Sequence, residues 1–280
     1  AVQRAVNRLQ SLEETRAVID AARTLQFRSI NIDLIYGLPK QTPEHFARTV
    51  EEVISLQPDR LSVFNYAHLP ERFMPQRRIN GNELPAPAEK LEMLQRTIEQ
   101  LTAAGYRYIG MDHFALPEDE LALARVNGSL QRNFQGYSTH ADCDLIGLGV
   151  SAISQIGDLY CQNSSDLNTY QDSLSNAQLA TQRGLLCNHD DRLRRAVIQQ
   201  LICHFELDFE PIEQAFTIDF RGYFNDLWPE LLTLQRDGLI SLDDKGIRIL
   251  PAGRLLARSV CMVFDAYLAM QNRQRFSRVI

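Results

Sequence analysis

The chain has 280 residues, 45% hydrophobic and 23% charged, which is long enough for one or two domains with a sizeable buried core. Its 29 Lys and Arg against 35 Asp and Glu give a net charge of −6, which argues against a general binder of nucleic acid or anionic membranes. No apolar run approaches the roughly 18 residues that cross a bilayer, so we expect no membrane span.

The first 110 residues alternate between helical and strand patterns. Ser11 and Glu14 form a capping-box pattern, and Thr42-Pro43 predicts a second helix start. The predicted elements are a helix over 11–26, a strand over 29–36, a helix from 43 to about 57, a strand over 60–66, a helix around 91–101 and a strand over 106–111. This alternation predicts right-handed crossovers and a parallel sheet, either an open doubly wound sheet or part of a barrel.

The pattern changes after residue 112. The predicted features are loops over 113–190 with a short helix near 117–125, helices from 190 onwards, a hairpin around 243–246 and a final helix over 252–270. Helices followed by a hairpin and a helix are typical of a small winged-helix unit. The 12 Lys and Arg over 191–280 balance 12 Asp and Glu, so we expect no nucleic-acid partner.

Five cysteines are dispersed along the chain, and no two form a C-x-x-C pair. They are Cys143, Cys161, Cys187, Cys203 and Cys261. The spacing predicts free thiols and no zinc or iron–sulfur site among these residues. Dispersed thiols are typical of a reducing compartment, so we expect a cytoplasmic protein.

Polar residues within or after three strands suggest a binding site. Strand alternation places Asn31, Asp33 and Ile35 on one face, and a carboxylate on a buried strand is unfavourable unless it is paired or faces a ligand. Both explanations remain open for Asp33. The next two strands end in Asn65, Tyr66, His68, Met111, Asp112 and His113. Because the carboxyl ends of parallel strands meet at one edge, these endings predict one shared site there.

A Gly-rich stretch at 147–151 offers a second candidate. Gly147 and Gly149 could let the backbone approach a phosphate or ribose. The stretch lacks the third glycine of the dinucleotide fingerprint, which favours a tight turn or close packing.

Six segments together carry a family resemblance. They are NIDLIYGLPKQT at 31–42, PDRLSVFNYAHLP at 58–70, YIGMDHFA at 108–115, NFQGY at 133–137, GLGVSAI at 147–153 and FSRVI at 276–280. In these segments the chain resembles the oxygen-independent coproporphyrinogen III oxidases, the HemN-type radical S-adenosylmethionine (SAM) enzymes of haem biosynthesis. The resemblance extends over essentially the whole chain.

The resemblance implies an α/β fold in two parts. Residues 1–112 would be the C-terminal part of a TIM-like partial (β/α) radical SAM barrel. Residues 113–280 would be a mainly helical HemN-type C-terminal domain with the winged-helix-like unit.

The resemblance also implies an oxidoreductase activity of porphyrin biosynthesis. Members of the family convert coproporphyrinogen III to protoporphyrinogen IX by decarboxylating two propionates to vinyl groups. A [4Fe–4S] cluster held by a C-x-x-x-C-x-x-C loop reduces SAM, and the 5′-deoxyadenosyl radical removes a hydrogen from the propionate. The implied partners are the substrate, an electron donor for the cluster and a final electron acceptor, and we expect a monomer.

Four residues match SAM contacts of the family, which binds two SAM molecules per enzyme. By resemblance, Arg8, Asp33 and Ala67 contact the second SAM, and Ile153 contacts the first. The resemblance assigns no catalytic residue and no metal ligand to this chain.

The chain departs from the family pattern in one large respect. No cysteine precedes Cys143, so the cluster loop is absent, and the Gly-rich SAM strand and the ribose-binding glutamate have no match either. We therefore expect these residues to be the C-terminal part of a longer enzyme, inactive alone, with the cluster cysteines N-terminal to it. One alternative is a HemN-like haem chaperone that binds and delivers haem. Another is a stand-alone regulatory module.

Overall fold

The computed structural model describes residues 1–141 and 143–268, so the FSRVI segment at 276–280 lies outside the described residues. The described chain divides into two compact units, residues 1–126 and residues 127–268. No helix in the described ranges is long and apolar enough to span a membrane.

In the first unit, helices and strands alternate from α2 to β3, and a short strand and a short helix follow. Its elements are α1 Val2–Ala5, α2 Leu12–Thr24, β1 Asn31–Tyr36, α3 Pro43–Ser55, β2 Arg60–Asn65, α4 Pro87–Ala103, β3 Arg107–Gly110, β4 His113–Ala115 and α5 Glu120–Val126. The predicted caps are confirmed. Ser11 Oγ accepts from the Glu14 N–H, the Glu14 side chain accepts from the Ser11 N–H, and Thr42 Oγ1 accepts from the His45 N–H.

The four-stranded sheet has the order β1-β2-β4-β3. The predicted parallel pairing is confirmed for β1 and β2, which are in register from Asn31 opposite Arg60 to Tyr36 opposite Asn65. It is wrong for the third strand, because the short strand β4 lies between β2 and β3 and is antiparallel to both. Gly110 and Met111, with φ of 149° and 52°, reverse the chain and create this extra strand.

The extra strand also moves the end of the first unit. We predicted a boundary after residue 112, whereas β4 belongs to the sheet and α5 packs against β3. The first unit therefore continues to residue 126.

Helices α3 and α4 cover one side of the sheet. The buried cluster consists of Tyr36, Phe46, Val50, Val53, Leu61, Val63, Met93, Leu101, Tyr106 and Phe114. Burying each large side chain of this kind contributes about 1.5–3 kcal/mol, so the cluster is the main source of stability on this side. Tyr106 is a polar member, and its hydroxyl donates to the Pro58 carbonyl at 2.6 Å.

A buried carboxylate connects the start of the sheet to α5. Asp119 is 8% exposed, and its oxygens accept from Arg60 Nε at 2.8 and 2.9 Å. The same carboxylate accepts from Ser29 Oγ at 3.0 Å and from the Leu121 N–H at 2.8 Å. Asp119 thus joins the segment before β1, the first residue of β2 and the first turn of α5.

The second unit combines short antiparallel sheets with helices. Its strands are β5 Gln131–Asn133, β6 Gly136–Ser138, β7 Ile153–Ile156, β8 Leu159–Asn163, β9 Thr181–Leu186, β10 Glu206–Asp208, β11 Ile240–Leu242 and β12 Gly246–Ile249. Its α-helices are α6 Leu167–Ser175, α7 His189–His204, α8 Phe209–Phe216, α9 Phe220–Tyr223, α10 Trp228–Arg236 and α11 Ala257–Met262. The strands form a β5-β6 hairpin and sheets of order β7-β8-β9 and β10-β12-β11.

Two sequence predictions for this unit need correction. The span 113–190 holds strands β4 to β9 in addition to loops. The predicted final helix over 252–270 is a 3₁₀ segment, Pro251–Leu256, followed by α11, which ends at Met262, and residues 269–270 lie outside the described residues. Within the 3₁₀ segment, Gly253 packs tightly against the Leu239 carbonyl. The predicted hairpin around 243–246 is confirmed as β11 and β12. The winged-helix assignment stays a prediction.

Aromatic rings form the centre of the second unit. Phe220 is fully buried, stacks on Phe209 at a centroid distance of 4.1 Å and contacts Phe224 at 4.8 Å. Trp228 lies 6.4 Å from Phe209 between ring centroids and is the only tryptophan of the chain. Its fluorescence therefore reports on this cluster.

We expect Phe220→Ala to destabilise the second unit by about 3–5 kcal/mol, because it removes a buried ring from the centre of the cluster. Urea unfolding followed by Trp228 fluorescence measures the effect. Phe134→Ala, at a 57% exposed ring of the same unit, is the control and should cost less than about 1.5 kcal/mol. Equal shifts in the two variants would contradict the assignment of this core.

Candidate functional site

The side of the sheet opposite α3 and α4 carries polar groups. We call this side, defined by Asn31, Asp33, Ser62, Phe64 and His113, the polar face. Strand register brings these residues together, since Asp33 is opposite Ser62 on the parallel side and His113 is opposite Ser62 on the antiparallel side. The Phe64 and His113 rings meet edge to face at 6.1 Å. The alternation predicted for β1 is confirmed by its burial pattern.

Asp33 is exposed, and two consecutive side-chain hydrogen bonds hold it on the polar face. Asn31 Nδ2 donates to Asp33 Oδ1 at 2.6 Å, and the buried Ser62 hydroxyl donates to Asn31 Oδ1 at 3.2 Å. The Asn31 amide is therefore oriented from both ends. This arrangement leaves the Asp33 carboxylate accessible as a hydrogen-bond acceptor for a ligand.

A second group of residues lies where β1 and β2 end. We call this group, defined by Gly37, Asn65, Tyr66, His68 and Lys90, the rim. Asn65 Oδ1 is buried and has no hydrogen-bond partner among the described residues. A buried acceptor without a partner is unfavourable, so Asn65 Oδ1 is suited to a ligand donor.

Lys90 crosses the rim from the first turn of α4. Its Nζ donates to the Tyr66 carbonyl at 3.3 Å, and partial burial lowers the pKa of its ammonium group. A Cβ added at Gly37 would lie 2.9 Å from Lys90 Cε and 3.3 Å from Asn65 Oδ1. Gly37 has a φ of 83°, so both its conformation and its neighbours require glycine.

Three ionisable rings complete the rim and its surroundings. The Tyr66 hydroxyl and His68 Nδ1 are 3.1 Å apart, and burial raises the pKa of Tyr66. Burial, together with the charge of Asp112, raises the pKa of Tyr36 to about 12. Tyr36 therefore stays neutral at any physiological pH.

The structure places the predicted SAM contacts as follows. Asp33 lies on the polar face, and Ala67 lies within the rim, between Tyr66 and His68, with its carbonyl accepting from Gln76 Nε2 at 3.1 Å. Arg8 is in the exposed segment between α1 and α2. No hydrogen bond or ion pair among the described residues joins Arg8 to Asp33 or to Ala67.

Ile153 belongs to the second unit, where it is the first residue of β7. A Cβ added at Gly147 would lie 2.6 Å from the Ile153 carbonyl oxygen, so the two backbones are in close contact. Asn163 Nδ2 donates to the Gly149 carbonyl at 2.9 Å. The close packing predicted for the Gly-rich stretch is thereby confirmed, and it fixes the backbone position of Ile153.

Sequence reasoning pointed to Asp33, Asn65, Tyr66 and His68 but missed Lys90. One signal in the sequence could have identified Lys90. A lysine in the first turn of a helix interacts unfavourably with the helix dipole, which suggests that its side chain has another role. The three predicted strand ends do meet in one sheet. Met111 and Asp112, however, form the turn into β4, and His113 is a strand residue of the polar face.

Comparison with known proteins identifies the family. A family profile described as the HemN C-terminal domain matches residues 187–256. An oxygen-independent coproporphyrinogen III oxidase of Thermostichus vulcanus is 46% identical over 280 residues, covering all of this chain and 86% of that protein. The chain belongs to the oxygen-independent coproporphyrinogen III oxidase family.

Other family members agree over the whole chain. The Pseudomonas aeruginosa oxygen-independent coproporphyrinogen III oxidase is 75% identical over 279 residues, and the Escherichia coli protein of the same name is 54% identical over 280. The chain spans 61% of the length of each of these two relatives.

A solved structure of the family has the same fold. It is described as "Coproporphyrinogen III oxidase (HemN) from Escherichia coli is a Radical SAM enzyme", and it matches with a TM-score of 0.93 at 54% identity. The match covers 95% of this chain and 62% of that one.

We expect Gly37→Ala to destabilise the first unit more than Gly105→Ala. Both glycines have positive φ, of 83° and 93°, and alanine there costs about 1–2 kcal/mol. Only Gly37 adds crowding, since a Cβ at Gly105 meets nothing within 4 Å. Urea unfolding followed by circular dichroism measures both.

A double-mutant cycle with Lys90→Ala separates crowding from strain. If Lys90 crowds residue 37, Gly37→Ala should cost about 0.5–1 kcal/mol less in the Lys90→Ala background. Gly105→Ala should cost the same in both backgrounds. Additive effects at Gly37 and Lys90 would rule out the contact between them.

Proposed function

We propose that this chain forms part of an oxygen-independent coproporphyrinogen III oxidase. The reaction proposed for the whole enzyme is the oxidative decarboxylation of coproporphyrinogen III to protoporphyrinogen IX, with a SAM-derived radical. The single observation that carries the proposal is the agreement with the Escherichia coli radical SAM enzyme over 95% of this chain, at a TM-score of 0.93. The five free cysteines are consistent with the cytoplasmic setting that we include in the proposal.

The polar face and the rim fit a SAM molecule chemically. SAM carries donors in its ammonium, ribose hydroxyl and adenine amino groups. The accessible Asp33 carboxylate offers an acceptor on the polar face, and the unpartnered Asn65 Oδ1 offers a separate acceptor at the rim, on the α4 side of the sheet. We propose Asp33 and Ala67 as contacts of one SAM, with Arg8 suited by its guanidinium to the methionine carboxylate.

In the second unit, the proposed contact is Ile153, which would touch the other SAM through its apolar side chain or its backbone. Its backbone is fixed by close packing on Gly147, so Ile153 would present a pre-positioned surface to a ligand. When bound and reduced, SAM supplies the adenosyl radical. The proposed role of these residues is to hold SAM in place and to keep water away from it.

The described residues do not fit an iron–sulfur cluster. No group of three or more His, Cys, Asp or Glu among them could hold a metal ion. Of the cysteines, Cys187, Cys203 and Cys261 are buried, and burial raises the pKa of Cys261 to about 12, which disfavours the thiolate that binds iron. We propose that the cluster is bound by residues outside these 280.

A chimaera tests the proposed function. This chain replaces the matching 279 residues of the Pseudomonas aeruginosa relative, and anaerobic conversion of coproporphyrinogen III is measured. We expect activity and a [4Fe–4S] EPR signal from the chimaera. The isolated chain, reconstituted with iron and sulfide, should give neither.

Two outcomes would contradict the proposal. A folded chimaera with a cluster but no turnover would exclude the oxidase function, and haem binding by such a chimaera would support the haem chaperone. A stoichiometric cluster in the isolated chain would contradict the proposed location of the cluster ligands.

In the same chimaera, we expect Asp33→Ala to weaken SAM binding by about 10- to 100-fold, which corresponds to the loss of one charged hydrogen bond. The cluster signal should persist. Equilibrium dialysis with labelled SAM measures the binding. Asp20→Ala, at an exposed carboxylate of α2, is the matched control, and equal affinities in both variants would make Asp33 a structural residue.

A further inference from the structure

Asn31 lies two residues before Asp33 on β1, and the two side chains share the polar face. Asn31 Nδ2 donates to Asp33 Oδ1 at 2.6 Å, and Asp33 Oδ2 accepts no hydrogen bond from the described residues. A carboxylate has two oxygens and about four acceptor positions. Asn31 therefore holds one oxygen of the carboxylate and leaves the other oxygen open to a ligand.

The orientation of the Asn31 amide is fixed by its second partner. The Ser62 hydroxyl donates to Asn31 Oδ1 at 3.2 Å, and Ser62 is only 4% exposed. With the amide oxygen on the Ser62 hydroxyl, Nδ2 faces Asp33. The reverse orientation would place the amide oxygen against the carboxylate, and two acceptors in contact repel each other. The buried hydroxyl and the negative charge thus select the same orientation of the amide.

The strand register explains why Ser62 acts through Asn31. Ser62 is directly opposite Asp33 on the parallel neighbour β2, yet its hydroxyl donates to Asn31. A direct hydrogen bond from Ser62 would occupy a second acceptor position of the carboxylate. Asp33 instead keeps a single internal donor, which holds the side chain while most of its acceptor positions remain open.

Holding the carboxylate in advance increases its affinity for a ligand. An aspartate without an internal partner loses its rotamer freedom when the ligand binds, and ordering one such side chain weakens affinity by about two- to tenfold. In this chain, the hydrogen bond from Asn31 orders the Asp33 side chain before any ligand arrives.

We propose that Asn31 and Ser62 are positioning residues for the SAM molecule that Asp33 contacts. They act through the Asp33 carboxylate and make no contact of their own with SAM. The inference rests on the proposed SAM contact of Asp33 and extends that site to two residues that the family resemblance does not assign.

A double-mutant cycle in the chimaera tests the role of Asn31. Equilibrium dialysis with labelled SAM gives the Kd of the SAM that Asp33→Ala weakens. We expect Asn31→Ala to raise this Kd about three- to tenfold. In the Asp33→Ala background it should raise the Kd no further, because no carboxylate remains to be positioned. Asn168→Ala, at an exposed amide of α6, is the matched control and should leave the Kd unchanged.

Ser62→Ala tests the inner hydrogen bond. It removes the donor to Asn31 Oδ1 and should raise the Kd about two- to threefold, since the amide is then free to turn. In the Asn31→Ala background it should have no effect. Circular dichroism checks that each variant is folded. If Ser62→Ala is not folded, the cycle at the exposed side chain of Asn31 decides alone.

The inference is overturned if Asn31→Ala leaves the Kd unchanged. It is also overturned if Asn31→Ala weakens binding equally with and without the Asp33 carboxylate, because Asn31 would then contact SAM itself or merely support the fold. The same conclusion follows for Ser62 if Ser62→Ala has equal effects with and without Asn31. An unchanged Kd in Asp33→Ala would overturn the inference together with the proposed SAM contact.

Turnover separates this inference from the proposed function. A chimaera in which the cycle gives the expected Kd values, but which does not convert coproporphyrinogen III, would support the positioning role and contradict the oxidase function. A chimaera that turns over substrate with additive effects of Asn31→Ala and Asp33→Ala would support the oxidase function and overturn the positioning role.

Discussion

The register between β1 and β2 determines which side chains of the first unit reach the core and which reach the polar face. Because Asp33 is opposite Ser62 and Tyr36 is opposite Asn65, every second residue on both strands points to the same side. One side packs under α3 and α4, and the other keeps the Asp33 carboxylate accessible. A slip of one residue would turn this carboxylate into the apolar cluster, where an unpaired charge is strongly unfavourable. The core therefore enforces the arrangement of the polar face.

Local signals in the sequence were sufficient for most of the first unit. The capping residues Ser11 and Thr42 and the alternation of β1 act over a few neighbours, and their predictions are confirmed. Strand β4 escaped prediction because three residues are too few to show a period. Its pairing depends on the reversal at Gly110 and Met111, which only the folded backbone reveals.

The second unit was harder to predict, for a related reason. Strand β9 is exposed along its whole length, so its sequence carries no buried face to detect. The environment of Arg132 depends on Gln199, which is 67 positions away along the chain. Asp33 could be singled out because a charge within an apolar strand is visible locally. A charged residue in a polar segment, such as Arg132, does not stand out from its neighbours in the sequence.

The carboxylate of Asp119 has a consequence for the order in which the first unit assembles. Helix α5 has only seven residues, which is too short to persist in water by itself. Its first turn is capped by Asp119, whose other partners, Ser29 and Arg60, are 90 and 59 positions earlier in the chain. Closing such long loops is slow and becomes favourable only when the sheet is already in place. We therefore expect helix α5 to join the structure late in folding, after β1 and β2 have paired.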